Sequence, residues 1–302
     1  MPNAIVIAGP TASGKSSLAI ELAEVLGGEI INADAMQVYG EVRILTARPS
    51  EADEMAVPHH LYGVASGADA WSAGRFARAA ATAAEEVAGR GRLPLIVGGT
   101  GLWLKALTQG LSPMPNVPLE VVNEARERLS SLGLEVLREE VLAADPAMSS
   151  LKPNDIQRHL RAWSVHRATG KPLSEWQALP LQLVTALSFE GYVLAPLREA
   201  LYRQCNVRFN QMIEEGALDE VRTLLGLSLS AHLPLMKAVG VPELAAFLAG
   251  KHSLEEAKAA AQQSTRRLAK RQMTWFRGQA PHWPRYETSQ AAYDAIIGGG
   301  EH

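Results

Sequence analysis

The sequence contains a single cysteine, Cys205, among its 302 residues. One cysteine can form neither an internal disulfide nor a cysteine-rich zinc site, so both kinds of cross-link are excluded. Long apolar runs are also missing, and no stretch reaches the roughly 18 residues that a membrane-spanning helix needs. Such a chain is typical of a reducing compartment, and we expect a cytoplasmic protein without membrane contact.

The net charge is slightly negative, at −3, and the pI is near 6.3. These values argue against a generally basic nucleic-acid-binding protein. The basic residues are nevertheless concentrated, because Lys258 to Arg285 contains seven of them and no acidic residue. A basic stripe within an acidic protein indicates an anionic partner on one face.

Three short strand-like runs, at residues 4–8, 29–33 and 93–97, are interleaved with segments of helical periodicity. Buried strands that alternate with helices predict a parallel α/β sheet flanked by helices. Ligands of such sheets bind beyond the carboxyl ends of the strands. We therefore expect the functional loops to follow these runs directly.

A proline-rich segment at residues 112–118 interrupts this alternation. The chain is then helical in character until a strand-like pattern returns near residue 184. We predict one α/β core, residues 1–115 plus 185–302, interrupted by an all-helical insertion domain at residues 116–184. The fold class is accordingly α/β, with a parallel sheet core and a helical insertion.

A phosphate-binding motif follows the first apolar run and begins a helix. It fits G-x-x-x-x-G-K-[S/T] and comprises Gly9, Pro10, Thr11, Ala12, Ser13, Gly14, Lys15 and Ser16. The glycines allow backbone N–H groups to surround phosphate oxygens, the helix start and Lys15 add positive charge, and Ser16 can hold Mg²⁺. The motif predicts a P-loop-type fold and a diphosphate site, whichever molecule carries the diphosphate.

The acidic residue that usually completes such a site is missing where it would be expected. P-loop nucleotide hydrolases place an aspartate after a core strand to hold Mg²⁺. Here residues 93–97 are followed by Gly98-Gly99-Thr100-Gly101, and an acid, Asp34, follows the second run instead. This pattern favours a diphosphate leaving group over transfer of a γ-phosphoryl group.

Six motifs appear in a characteristic order between residues 4 and 277. They are Gly9–Ser16, Asp34–Tyr39, Pro58–Leu61, Gly98–Leu102, Asn154–Arg158 and Thr265–Arg277. In this order they resemble the bacterial tRNA dimethylallyltransferase family, also called tRNA isopentenyltransferases. The resemblance implies that an adenine N6 beside the anticodon attacks dimethylallyl diphosphate and releases pyrophosphate, with Mg²⁺ as cofactor. It also implies a monomer without an obligate protein partner.

The resemblance assigns Asp34 contact with N6, where a carboxylate can accept a proton as a general base. It also places Thr100 near the bridging oxygen of the diphosphate. Taken alone, Asp34 could instead cap a helix or support Mg²⁺, and Thr100 could have only a structural role in the turn where it lies. We predict both as catalytic residues.

The predicted tRNA-binding residues lie in three segments. Ser264–Arg277 is predicted to form a helix with a basic face opposite an apolar arc, and Lys152–Lys171 carries a second set of basic residues. Lys152–Lys171 lies in the helical insertion domain, which we expect to contact the anticodon stem-loop of tRNA. A basic helix face could merely meet solvent, although the lack of acids on the first helix disfavours this. The prediction comprises Asp34, Ala35, Met36, Gln37, Gln157, Arg158, His159, Leu160, Arg161, Lys270, Arg271, Gln272, Trp275 and Arg277.

The chain departs from the family in several places. Leu45-Thr46-Ala47-Arg48-Pro49 stands where Gly-Thr-Ala-Lys-Pro is common, and Val241 and Leu268 replace usual tyrosines. These differences concern RNA contacts or packing rather than the predicted catalytic residues. His59 and His60 belong to the family series, and we predict a structural role for them.

Three other functions stay open from the sequence. The first is a P-loop small-molecule kinase, and the second is a prenyltransferase that acts on free AMP or ADP. The third is a nucleotide-gated RNA-binding module without catalysis. The missing acid disfavours the kinase, and the helical insertion and basic helix are unneeded for a nucleotide acceptor.

Overall fold

The computed structural model describes residues 4–299. The predicted domain limits extend to residues 1–3 and 300–302, which lie outside the described part. None of the described helices has the length and apolar character needed to cross a membrane.

The core is a six-stranded sheet in which every described strand pair is parallel. Its strands are β1 (Ala4–Ala8), β2 (Gly28–Asn32), β3 (His59–His60), β4 (Leu93–Gly98), β5 (Phe189–Leu194) and β6 (Arg285–Tyr286). They lie in the order β3-β2-β4-β1-β5-β6. The central strand β1 therefore lies between β4 and β5, and its carboxyl end meets theirs at one edge of the sheet.

The helices are numbered along the chain. They are α1 (Lys15–Leu26), α2 (Glu51–Ala56), α3 (Ala73–Gly89), α4 (Gly101–Thr108), α5 (Leu119–Ala144), α6 (Ile156–Thr169), α7 (Leu173–Gln177), α8 (Arg198–Glu214), α9 (Ala217–Gly226), α10 (Val241–Leu248), α11 (Leu254–Gln279) and α12 (Ser289–Gly298). Short 3-10 helices lie at Pro146–Ser150 and Leu235–Lys237.

Both faces of the sheet are buried, as the continuous apolar strands predict. Successive side chains of β1 point to opposite faces, so Val6 packs in one apolar cluster and Ile5 and Ile7 in the other. The first cluster contains Phe76 of α3 and Phe276 of α11, among others. Leu18 and Leu22 of α1 and Ile296 of α12 cover the second face. The predicted fold class, a P-loop-type parallel sheet flanked by helices, is confirmed.

The chain divides into two compact units. One runs to Thr108 and resumes at Val184, and the other is Gln109–Leu183. The second unit begins ahead of the predicted residue 116, because Leu111 and Gln182 exchange backbone hydrogen bonds of 3.2 and 2.9 Å that close its two ends together.

The second unit is helical and has its own small core. Val141, Met148, Ala162, Val165 and Leu173 form its buried cluster. Its longest helix, α5, changes direction at Gly133, where the backbone is not helical. Arg128 and Trp163 both donate hydrogen bonds to Glu140, which ties the two arms of α5 to α6.

Candidate active site

The phosphate loop joins β1 to α1 and has the geometry of an anion cradle. Ala12 and Gly14 have left-handed backbones, with φ of 61° and 88°, which turn successive N–H groups toward a common point. Gly14 begins α1 without a side-chain cap, and the first turn carries no acidic residue. The N–H groups at this helix start are therefore available to an anion.

Lys15 is the charged group of this cradle, and its side chain is 8 % exposed. Burial lowers the pKa of Lys15 from its usual 10.5 to about 8. The Asp34 carboxylate opposes this shift and the Arg208 guanidinium adds to it. An ammonium group held in such surroundings is stabilised by a bound anion.

Asp34 follows β2 and is fixed by its neighbours. The buried Asn32 accepts a hydrogen bond from the Asp34 N–H at 2.7 Å and donates to the Asp34 and Leu61 carbonyls at 3.1 and 3.0 Å. Oδ1 of Asp34 accepts from the Met36 N–H at 2.9 Å. Its Oδ2 has no hydrogen bond to the described residues, so half of the carboxylate can accept a proton.

Thr100 follows β4, the strand next to β2, and is bonded to the Asp34 segment. Its hydroxyl accepts from the Ala35 N–H at 2.9 Å, and its own N–H donates to the Ala33 carbonyl at 3.3 Å. The approach is possible because residue 98 is glycine, since a Cβ there would overlap the Ala33 backbone. The structure thus brings together the predicted catalytic residues Asp34 and Thr100.

Arg208 of α8 is a site residue that sequence reasoning missed. Its Nη1 lies 3.5 Å from the Thr11 hydroxyl, and its positive charge contributes to lowering the pKa of Lys15. Burial, opposed by the Asp34 carboxylate, lowers the pKa of the Arg208 guanidinium, which still carries its charge at neutral pH. No local pattern around residue 208 marks it, because its partners lie almost 200 residues away in sequence.

Gln272 was predicted to contact tRNA, and the structure corrects this assignment. Its side chain is 8 % exposed and is hydrogen-bonded to Thr11 and Gly99. The same helix, α11, presents Lys270, Arg271 and Arg277 as exposed residues. These three cations and the half-buried Trp275 remain the predicted RNA-binding residues of α11.

An open surface pocket of about 480 Å³ lies along the exposed face of α11. Basic side chains and one aromatic ring line it, namely Arg267, Lys270, Arg271, Thr274 and Trp275. Cations bind RNA phosphates, and an indole ring can stack on an unpaired base. The combination is typical of a surface for single-stranded RNA.

In the helical unit, α6 exposes Gln157, Arg158 and Arg161, as predicted for RNA-binding residues. His159, also predicted to bind tRNA, is fully buried, and its Nε2 lies 3.2 Å from the Lys152 carbonyl. The helical period turns residue 159 inward while its neighbours face outward. Leu160 is half-buried.

Gln37, one of the predicted tRNA-binding residues, has its amide nitrogen bound within the protein. Its amide donates to the Thr46 and Ala47 carbonyls at 2.9 and 2.7 Å, so both N–H groups are committed to the family-divergent loop. In that loop Leu45 is buried in the core against Gly240, and Val241 lies in the same apolar cluster. Leu45 and Val241 therefore serve packing.

His59 and His60 have structural contacts. His60 Nε2 lies 2.7 Å from Oε2 of the buried Glu29, which also pairs with Arg90 and Arg92. His59 Nδ1 lies 2.7 Å from the Val57 carbonyl. Within residues 4–299, no group of three or more histidine, cysteine or acidic side chains could hold a metal.

Two family models match the chain. The model described as IPP transferase matches residues 37–279, and the model described as isopentenyl transferase matches residues 2–62. Among curated proteins, a tRNA dimethylallyltransferase of Parvibaculum lavamentivorans is 49 % identical over 290 residues, covering 95 % of this chain and 92 % of that protein. One of Phenylobacterium zucineum is 48 % identical over 285 residues, covering 94 % and 92 %.

Solved structures give the same relationship. A tRNA isopentenylpyrophosphate transferase of Bacillus halodurans superposes with a TM-score of 0.70 at 31 % identity, covering 99 % of this chain and 96 % of that one. A eukaryotic dimethylallyltransferase that acts on tRNA gives a TM-score of 0.76 at 28 % identity, covering 90 % and 69 %.

Proposed function

Since the chain belongs to the IPP transferase family and is similar to curated tRNA dimethylallyltransferases, we propose that it prenylates N6 of an adenine next to the anticodon of tRNA. The chain is a prenyltransferase that transfers a dimethylallyl group to tRNA. The further parts of the proposal are the donor, dimethylallyl diphosphate, the atom modified and the residues that act. Because tRNA is the acceptor, we also propose a cytoplasmic location.

The observation that carries the proposal is the meeting of three loops at one edge of the sheet. The phosphate loop follows β1, Asp34 follows β2, and Thr100 follows β4, in adjacent strands. A diphosphate in the cradle would place its ester oxygen toward Thr100 and Asp34. An adenine amine beside Asp34 would then face the allylic carbon.

The transfer itself is a substitution at that carbon. The N6 lone pair forms the new C–N bond while the C–O bond breaks and its electron pair leaves on the diphosphate. The N6 proton passes to the free Oδ2 of Asp34, which is held by the Asn32 and Met36 contacts. Proton transfer to a positioned carboxylate contributes about 10²–10⁴-fold to rates of this kind.

The negative charge that develops on the diphosphate is met by groups fixed before the reaction. Lys15 and Arg208 supply two cations, and the start of α1 supplies N–H groups. The Ser13 hydroxyl is buried without a hydrogen-bond partner among the described residues, which suits a phosphate oxygen as its acceptor. Thr100 can donate its hydroxyl hydrogen to the ester oxygen while it accepts from Ala35.

Mg²⁺ fits this donor set. Ser16 is exposed at the helix start and offers a hydroxyl oxygen, a hard ligand of the type that Mg²⁺ prefers together with phosphate oxygens and water. When bound, the ion would neutralise charge on the diphosphate. The only protein ligand that we propose for it is Ser16.

A kinase is less well supported, because β4 ends at Gly98 and continues into Thr100 without a carboxylate for Mg²⁺. A free nucleotide as acceptor would leave the exposed cations of α6 and α11 without a partner. A binding module without catalysis would not need the open Oδ2 of Asp34.

The proposal is tested by incubating the protein with radiolabelled dimethylallyl diphosphate, Mg²⁺ and unmodified tRNA, followed by nucleoside analysis. We expect label in an N6-modified adenosine from the anticodon loop. Parallel reactions contain AMP in place of tRNA, or ATP in place of the prenyl donor. Label in AMP in preference to tRNA, or phosphoryl transfer from ATP, would overturn the assignment.

A further inference from the structure

The side chain of Gln272 joins two loops of the active site. Its Oε1 accepts a hydrogen bond from the Thr11 N–H of the phosphate loop at 2.9 Å. Its Nε2 donates to the carbonyl of Gly99, the residue before Thr100, at 3.0 Å. One amide thus spans the gap between the loop that holds the diphosphate and the loop that carries Thr100.

The fit around this amide is close. The backbone of Gly99 lies against Gln272 Nε2 and the Gly9 carbonyl, so that a Cβ at residue 99 would overlap both. Farther along α11, the ring of Trp275 lies directly against Gly101. Two side chains of one helix therefore support the same segment, Gly99 to Gly101.

Thr11 is held from two sides. Gln272 binds its backbone N–H, and Arg208 Nη1 approaches its hydroxyl at 3.5 Å. In a phosphate loop, backbone N–H groups normally face the phosphate oxygens. The Thr11 N–H instead donates to Gln272, and this hydrogen bond fixes the loop before any ligand binds.

We propose that Gln272 is a positioning residue, which sets the distance between the phosphate loop and Thr100 and thereby aligns the donor for attack. This inference rests on the proposed prenyl transfer. Gln272 does not touch the reacting atoms. It acts through Thr11 and Gly99, and a misplacement of reacting groups by about 1 Å can cost about 10²-fold in rate.

The simpler explanation is that Gln272 only fills space in the core. The two explanations differ in what two substitutions do. Gln272→Met keeps the volume and removes both hydrogen bonds. Gln272→Glu keeps the acceptor for the Thr11 N–H, but when ionised it places a second oxygen against the Gly99 carbonyl.

The test compares steady-state kinetics of the wild-type chain, both variants and Gln262→Met. Gln262 is the matched control, because it lies on the same helix and bonds Asn206 and Asn210 of α8 rather than the loops. We expect Gln272→Met to lower kcat about 10- to 100-fold, with the Kd for tRNA within about twofold of wild type. The control should retain kcat.

Gln272→Glu supplies a pH signature that a space-filling role would not produce. Protonation gives its carboxyl a hydrogen to donate to Gly99, so the ratio of its kcat to the wild-type kcat should rise as pH falls. This variant decides the question if Gln272→Met does not fold. A flat ratio would overturn the proposal, and so would an unchanged kcat in Gln272→Met or an equal loss in Gln262→Met. If the wild-type chain does not prenylate tRNA, the proposed function fails instead.

Discussion

The Thr100 hydroxyl accepts a hydrogen bond from the Ala35 N–H at 2.9 Å, which joins the end of β4 to the residue after Asp34. The two segments are far apart in sequence but follow neighbouring parallel strands. Their contact couples the position of Thr100 to the segment that carries Asp34, the proposed base. In Asp34, Oδ1 accepts a hydrogen bond from the Met36 N–H of the same loop, and Oδ2 has no hydrogen bond to the described residues.

Asp34→Asn should lower kcat by at least about 10²-fold, with the Kd for tRNA near the wild-type value. The amide oxygen can still accept from the Met36 N–H, so the loop is kept while the proton acceptor is lost. Single-turnover prenylation and a tRNA-binding assay measure the two quantities. Asp294→Asn, an exposed change on α12, serves as the control. Normal turnover in Asp34→Asn would remove this residue from the mechanism.

Arg271→Ala should weaken tRNA binding and make it less dependent on salt. A cation that contacts one phosphate releases about one counterion, so the slope of log K against log salt should fall by about 0.7–0.9. The measurement is tRNA affinity at several salt concentrations. Arg222→Ala on α9 removes the same charge from a residue paired with Asp219, and its slope should stay unchanged. An unaltered slope for Arg271→Ala would show that Arg271 meets no phosphate.

Binding of pyrophosphate should add a proton to Lys15 above pH 8. Burial lowers the pKa of Lys15 to about 8, so at pH 9 the free protein carries it mostly neutral. A bound anion favours the ammonium form and raises this pKa, so a proton is taken up. At pH 6.5 the group is already charged and adds none.

Titration calorimetry in buffers of different ionisation enthalpy measures the uptake. The control is Lys15→Arg, whose side chain is charged at both pH values, so protons exchanged by pyrophosphate itself cancel in the comparison. We expect greater uptake in the wild type than in Lys15→Arg at pH 9 and equal values at pH 6.5. Equal values at pH 9 would contradict the lowered pKa.

Glu29→Gln should reduce the free energy of unfolding at pH 7 by about 1–3 kcal/mol, because a buried hydrogen-bonded carboxylate is lost. Burial alone would raise the pKa of Glu29, but hydrogen bonds from His60 and Arg90 outweigh it and hold the pKa below 4.5. A depressed pKa contributes stability above pH 4.5 that is lost as pH falls through the folded value.

Denaturant unfolding at pH 7 and at several values below 4.5 measures this contribution. The variant should lose less stability in acid than the wild type does. Glu24→Gln, an exposed change on α1, should follow the wild-type curve. An acid dependence as steep in Glu29→Gln as in the wild type would exclude Glu29 as its source.

Much of the fold and several residues of the candidate site can be predicted from local sequence patterns. Apolar runs such as Ala4–Ala8 and the residues just after them predict the sheet, the phosphate loop and the positions of Asp34 and Thr100. These signals are readable because a buried strand and a glycine loop impose their residue types directly. Helical spacing likewise predicted that Arg158 and Arg271 lie on exposed helix faces.

The remaining site residues depend on contacts between distant segments. Arg208 carries no local signal, and Gln272, read as an RNA contact, turns inward to bind Thr11 and Gly99. His159 shows the same limit, since one step along a helix separates an exposed residue from a buried one.

The amino-acid sequence alone determined that this protein has a phosphate-binding loop and a carboxylate at the end of a strand, because each of these features is defined within a few residues. Tertiary structure decided which groups meet there. Packing of α8 and α11 against each other brings Arg208 and Gln272 to Thr11, and burial around Lys15 lowers its pKa. Those properties arise from neighbours in space, which the order of residues does not specify locally.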